Sequence, residues 1–115
     1  MRLLLSFVVM PLLWAGRAAP AGSQPVTIKL FQFEPTVLEV AVDTRVVWTN
    51  TDDIEHTIAS GTGEQSDGRF SGVVAGKGQS FGFVFTEPGV YSYYCDRHRF
   101  MHGEVRVTST GKAGN

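Results

Sequence analysis

The sequence predicts an all-β protein, a sandwich of two sheets built from seven or eight short strands. Three observations support this. Apolar and polar residues alternate with a period of two in run after run. Gly, Pro, Asp and Asn punctuate the runs as turn signals. No window sustains a helical period. Short strands at such spacing close into a sandwich or a small barrel.

The first stretch, "MRLLLSFVVMPLLWAGRAAPA", is set apart from that pattern. It has Arg2, an apolar run from Leu3 to Trp14, and the small-residue end Ala19-Pro20-Ala21. This is the layout of a secretory signal peptide spanning 1–21, with cleavage expected after Ala21. An uncleaved tether is the alternative. A membrane span is disfavoured, because the run is broken by Pro11 and falls short of the ~20 apolar residues a span needs. Residues 22–115 are then expected to form one exported domain, a monomer, located in the periplasm. The whole chain holds 10 basic and 11 acidic residues. Setting Arg2 and Arg17 aside makes the remainder more acidic still, which argues against nucleic acid as a partner.

The strands follow in order. "VTIKLFQFEP" is β-rich and stops at Pro35. "TVLEVAV" sets Leu38, Val40 and Val42 on one face and Glu39 on the other. "TRVVWTN" does the same with Val46 and Trp48. "HTIAS" is short. "SFGFVFT" aligns Phe81, Phe83 and Phe85, and "GVYSYYC" aligns Tyr91, Tyr93 and Cys95. "GEVRVTS" ends the series with Val105 and Val107 inward. Turns fall at Asp43-Thr44, Thr51-Asp52-Asp53, Gly76-Lys77-Gly78 and Glu87-Pro88-Gly89. The Gly/Ser-rich "SGTGEQSDGRFSG" reads as a surface loop, and "TSTGKAGN" as a frayed tail.

Cys95 is the only cysteine of the chain. An exported protein with one cysteine has no internal disulfide, so the thiol must be buried or held by a metal. Downstream the spacing is C-x2-H-x2-M, from Cys95 to His98 to Met101. A loop that reverses between two strands returns its third and sixth residues toward one point. His56, at the start of another strand, can add a second imidazole. Two imidazoles and a thiolate with a weak axial thioether form the ligand set of a blue-copper electron-transfer site. Thiolate suits Cu(I), imidazole suits both oxidation states, and the thioether is too weak to draw Cu(II) into a tetragonal geometry.

Each residue alone has a plainer explanation. A free Cys is usually a small buried hydrophobe and Met is usually core filler. Other chemistries fit the set less well. Zinc takes N, S or O ligands of a kind that excludes Met, and a c-type haem needs a C-x-x-C-H run that is absent. Cysteine catalysis needs an oriented base, and none is evident. His102 directly follows Met101, points the other way, and is expected on the surface.

The sequence resembles the cupredoxins, the small blue copper proteins, and among them the plastocyanin and amicyanin group. The resemblance rests on "FQFEP", "VVWTNTDDIEHT", "GQSFGFVFTEPGVYSYYC" and "HRFMHGEVRV". It implies an eight-stranded Greek-key sandwich and one type 1 copper ion at His56, Cys95, His98 and Met101. It also implies a non-enzymatic shuttle of single electrons, with His98 as the exposed exit and Thr57 steadying the ligand loop. A copper carrier or buffer is the alternative function. The expected partners are a redox donor and acceptor, such as a dehydrogenase, cytochrome or oxidase, docking near His98. Amicyanin-type loops carry prolines beside the loop histidine and before the upstream one. Here those places are Arg97, Arg99 and Glu55. The arginines are expected to form a positive collar around His98 that steers docking.

Overall fold

The structure is a computed structural model, described here for residues 22–109. The expected signal peptide and the tail beyond 109 lie outside the described residues. Nine strands form two sheets: β1 (Ser23–Lys29), β2 (Gln32–Glu34), β3 (Val37–Ala41), β4 (Thr44–Asn50), β5 (His56–Gly61), β6 (Ser66–Val74), β7 (Ser80–Phe85), β8 (Gly89–Tyr94) and β9 (His102–Thr108). One sheet runs β2-β1-β4-β7 and the other β3-β9-β8-β5-β6. Two pairs are parallel, β1 with β4 and β3 with β9. The chain crosses repeatedly between sheets, so the inner faces of both enclose one core. No helix among the described residues is long and apolar enough to cross a membrane.

The alternation seen in the sequence sets that core. Val26 and Ile28 of β1, Val46 and Trp48 of β4, and Val105 of β9 are wholly buried, with Phe85, Tyr93 and Val107 nearly so. Trp48 lies at the centre, its ring against Phe70, Phe81, Phe85 and Tyr93. Tyr93 pairs across the sheet with Gly103, where a Cβ would stand 2.4 Å from the phenol oxygen. The glycine leaves the space that the ring fills. Burial pushes the Tyr93 phenol up to about 12.

Three expectations are corrected. There are nine strands rather than eight. The run "VTIKLFQFEP" is not one strand but a hairpin, β1 and β2, with Lys29 opposite Gln32. Its two-residue turn, Leu30-Phe31, has φ of 51° and 60°. That is the geometry of a type I′ turn, which normally selects Asn-Gly. Bulky residues there are disfavoured by roughly 1–2 kcal/mol each, so the sequence signal was missing. The third correction is β6, read as part of a surface loop. It is an edge strand paired only with β5. Of its nine residues only Phe70 and Val74 are buried, and the first four are all exposed, so no alternation runs along its length. Backbone bonds and Ser60 hold it: the Ser60 hydroxyl accepts the Phe70 N–H at 2.9 Å and lies 2.5 Å from Asp67 Oδ1.

Candidate metal centre

Three connections meet at one end of the sandwich: the Leu30-Phe31 turn, the segment between β4 and β5, and the segment between β8 and β9. The β4–β5 segment is tied by Asn50, which is wholly buried. Its side-chain amide donates to the carbonyls of Ile54 and Val74, at 2.8 and 3.0 Å, and its Oδ1 accepts the Asp52 N–H at 2.9 Å. The loop is thus closed on itself and His56 is delivered as the first residue of β5. The β8–β9 segment is closed by two backbone bonds. Cys95 N–H donates to the Met101 carbonyl at 3.0 Å and Met101 N–H to the His98 carbonyl at 2.9 Å. Residues 95, 98 and 101 are therefore gathered by the main chain.

These closures bring His56, Cys95 and His98 together, with one donor atom from each within 4.8 Å of the others. Cys95 Sγ stands 3.9 Å from His56 Nδ1 and 3.7 Å from His98 Nδ1. Cys95 and His56 are fully buried, Met101 is 2% exposed, and His98 is half-buried. Such S···N separations suit a shared ion. Bonds of about 2.3 Å to sulfur and about 2.0 Å to nitrogen, opened to about 120°, place the two donors about 3.7 Å apart. The donor set of one soft thiolate and two imidazoles fits copper. Met101 is buried on the same loop and bonded to it through the His98 carbonyl. His102 is exposed at the start of β9 and stands outside the group.

Thr57 follows His56 and serves the cysteine. Its backbone N–H donates to Cys95 Sγ at 3.4 Å and its hydroxyl does so at 3.7 Å, while the same hydroxyl accepts the Asp96 N–H at 2.7 Å. The sulfur is thereby fixed from one side by two donors of β5.

Sequence reasoning missed two residues. Asp52, four positions before His56, places Oδ2 2.9 Å from His56 Nε2. It also accepts the backbone N–H groups of Leu30 and Phe31 at 2.7 and 3.0 Å. Burial by itself would raise its pKa, but the Phe31 and Leu30 amides and His56 together hold the carboxyl below its usual range. The second is Phe31, whose ring stands nearly perpendicular to those of His56 and His98, with centroids 5.3 and 5.0 Å away. The Asp-to-His spacing was the only available trace of Asp52, and nothing local marked Phe31.

Arg97 and Arg99 flank His98 as expected, but neither stands alone. Arg97 pairs with Glu55, the residue before His56. Arg99 pairs with Asp96 at 3.2 Å and reaches the carbonyls of Gly63 and Glu64 at 3.4 Å. The collar is therefore compensated by carboxylates. Around it lies apolar surface: Leu30 and Phe100 are 74% and 68% exposed, and Phe31 and Ile54 are partly so.

Comparison with known proteins agrees with this geometry. Residues 21–108 match the model of the copper binding proteins, plastocyanin/azurin family. Amicyanin-alpha of Methylorubrum extorquens is 35% identical over 95 residues, covering 81% of this chain and 78% of that protein. Amicyanin of Paracoccus denitrificans is 33% identical, covering 82% and 72%. Among solved structures, a purple cupredoxin from Nitrosopumilus maritimus superposes with a TM-score of 0.68 at 32% identity, covering 73% of this chain and 98% of that one. A buried thiol facing two imidazoles at one end of a β-sandwich, on a chain matched over nearly all its described length, places this protein in the copper-binding plastocyanin/azurin family, with amicyanin-like relatives.

Proposed function

We propose that this chain carries single electrons between redox proteins, with one copper ion held by His56, Cys95, His98 and Met101. The observation that supports it most directly is the buried Cys95 sulfur with two imidazole nitrogens at 3.7 and 3.9 Å. Copper supplies a Cu(I)/Cu(II) couple, and the chain supplies a site that changes little between the two states. His56 is held by Asp52, Cys95 by Thr57, and the 95–101 loop by its own backbone bonds. Ligands fastened in this way need little rearrangement when the charge of the site changes. His98 is the half-buried ligand beside exposed Phe100, and it is the exit.

The same reading makes the protein a carrier rather than an enzyme, exported by residues 1–21 and working as a monomer in the periplasm. Its donor and acceptor are redox proteins that dock around His98, with Arg97 and Arg99 at the rim of an apolar contact. Amicyanin relatives and the acidic balance of the chain support this reading.

The test is a visible spectrum and a redox titration of purified protein loaded with cupric salt. An intense thiolate-to-copper charge-transfer band and a reversible one-electron wave are expected. Cys95→Ser should abolish the band. A colourless loaded protein would overturn the proposal, and a coloured one that yields its copper to mild chelators without passing electrons would favour a metal carrier.

A further inference from the structure

Asp52 lies outside the donor set, yet its carboxylate touches two parts of the metal end at once. Oδ1 takes the Leu30 N–H, and Oδ2 takes the Phe31 N–H and faces His56 Nε2. Its side chain is only 11% exposed. Its own N–H is anchored to Asn50 Oδ1, which fixes the backbone from which the carboxylate projects. A carboxylate only accepts, which assigns the ring proton of His56 to Nε2 and leaves the Nδ1 lone pair facing Cys95.

The Leu30-Phe31 turn needs such a clamp. Both residues hold positive φ, where neither Leu nor Phe is at ease, and Leu30 lies mostly in solvent. Two backbone N–H groups aimed at one carboxylate fix the turn that local preference would not choose. Phe31 then lies with its ring perpendicular to both imidazoles.

We infer that Asp52 is a positioning residue that fastens the exposed Leu30-Phe31 turn and the His56 ring to a single carboxylate, so that the shape of the turn and the donor strength of His56 are set together. This rests on the reading of His56 as a copper ligand. A carboxylate bound to the distal N–H makes the imidazole a stronger donor, as carboxylate–histidine–metal arrangements generally do. A stronger donor favours Cu(II) over Cu(I) and lowers the reduction potential. A surface pressed against the turn bears on the same carboxylate.

The experiment compares copper-loaded wild type, Asp52→Asn, and Asp52→Asn combined with Leu30→Gly. Reduction potentials and visible spectra are measured, with backbone chemical shifts of residues 30 and 31 in the zinc-loaded proteins. Asp52→Asn is expected to raise the potential and displace the shifts of both turn residues. Leu30→Gly, which accepts positive φ freely, is expected to return the Phe31 shifts toward wild type while the potential stays raised. A potential indifferent to Asp52→Asn overturns the inference, as does a potential that recovers once the turn is repaired. Should Asp52→Asn fail to load metal, the His56 Nε2 proton of zinc-loaded wild type decides. Slow exchange is expected, and exchange at the rate of an open imidazole overturns the inference. A colourless wild type overturns the copper reading itself, whereas a coloured one with an unmoved potential sinks only this inference.

Discussion

Thr57 and Asn50 show how single side chains set the chemistry of the metal end. The Thr57 hydroxyl donates to the Cys95 sulfur and accepts from Asp96. Hydrogen bonds to the cysteine sulfur tune the potential of such sites, because they draw electron density from the thiolate and disfavour Cu(II). Thr57→Val keeps the backbone N–H bond and removes the hydroxyl. Its reduction potential should fall below wild type in a protein-film or solution titration, with little change in the fold. Asn50 has no contact with the donor atoms but satisfies three backbone groups from a fully buried position. Asn50→Ala leaves those groups without their partner, at a cost of about 1–3 kcal/mol. Denaturant melts of the metal-free protein should show it, and copper loading should slow, because the loop that delivers His56 is loosened. Of these residues, His56, Cys95, His98 and Met101 were legible from residue type and spacing, and Thr57 from resemblance. Asp52 and Phe31 were not, because the Leu30 and Phe31 amides reach Asp52 from 22 and 21 positions away and Phe31 meets both imidazoles from another connection.

At the scale of the element, the strands with one buried face were readable and the edge was not. β4 and β9 alternate in burial because each turns one face to the Trp48 core, whereas β8 buries both Tyr93 and Tyr94 at its end. β6 alternates only in its second half, from Phe70 to Val74, and its place is decided by β5 and by the facing sheet. Gly72 of β6 lies beneath the Phe81 ring of β7, where a Cβ would come within 2.3 Å of the ring. The contact involves the root of the ring rather than its tip, so the ring cannot simply swing aside. Gly72→Ala should destabilise the fold by about 1–3 kcal/mol, as overpacking does. An unchanged unfolding midpoint would show that the two sheets are free to separate there.

The same strand carries a pH dependence. The Ser60 hydroxyl holds the Asp67 carboxyl below its usual range, opposed by burial and aided by the Arg69 N–H. A carboxyl depressed in the folded state adds stability that is full above its unfolded pKa. That stability is lost as pH falls through the lower folded value. Wild type should therefore lose more stability than Asp67→Asn as pH is taken from neutral to below the ordinary carboxylate range. Parallel stability curves for the two proteins would contradict this.

For the whole molecule, the tertiary structure changes the charge around His98 on which the proposed docking depends. The sequence suggested a positive collar from Arg97 and Arg99. Folding brings Glu55 to the first and Asp96 to the second, so steering by net charge is weak at that rim. Exposed ion pairs contribute ~1 kcal/mol or less and are screened by salt. The apolar surface of Leu30, Phe31 and Phe100 remains exposed there, and under the proposed function it is the contact. Phe100→Ser should slow electron transfer to a physiological partner more than Arg97→Gln with Arg99→Gln does, and the salt dependence of wild type should be shallow. The reverse order in stopped-flow rates would restore the charged collar as the docking device.

Composition and period-two alternation by themselves determined the all-β class and most strands, and residue type with the C-x2-H-x2-M spacing marked out the candidate donors, because a half-buried strand and a metal ligand both write local, spaced patterns. Only the tertiary structure decided the rest: the Leu30-Phe31 turn, the strand β6, the carboxylate that joins that turn to His56, and the pairing of the two arginines. Each depends on partners that the chain brings near only by folding. A positive φ is tolerated when a distant acceptor takes the freed amides, and an edge strand is chosen by its neighbour rather than by its own sequence.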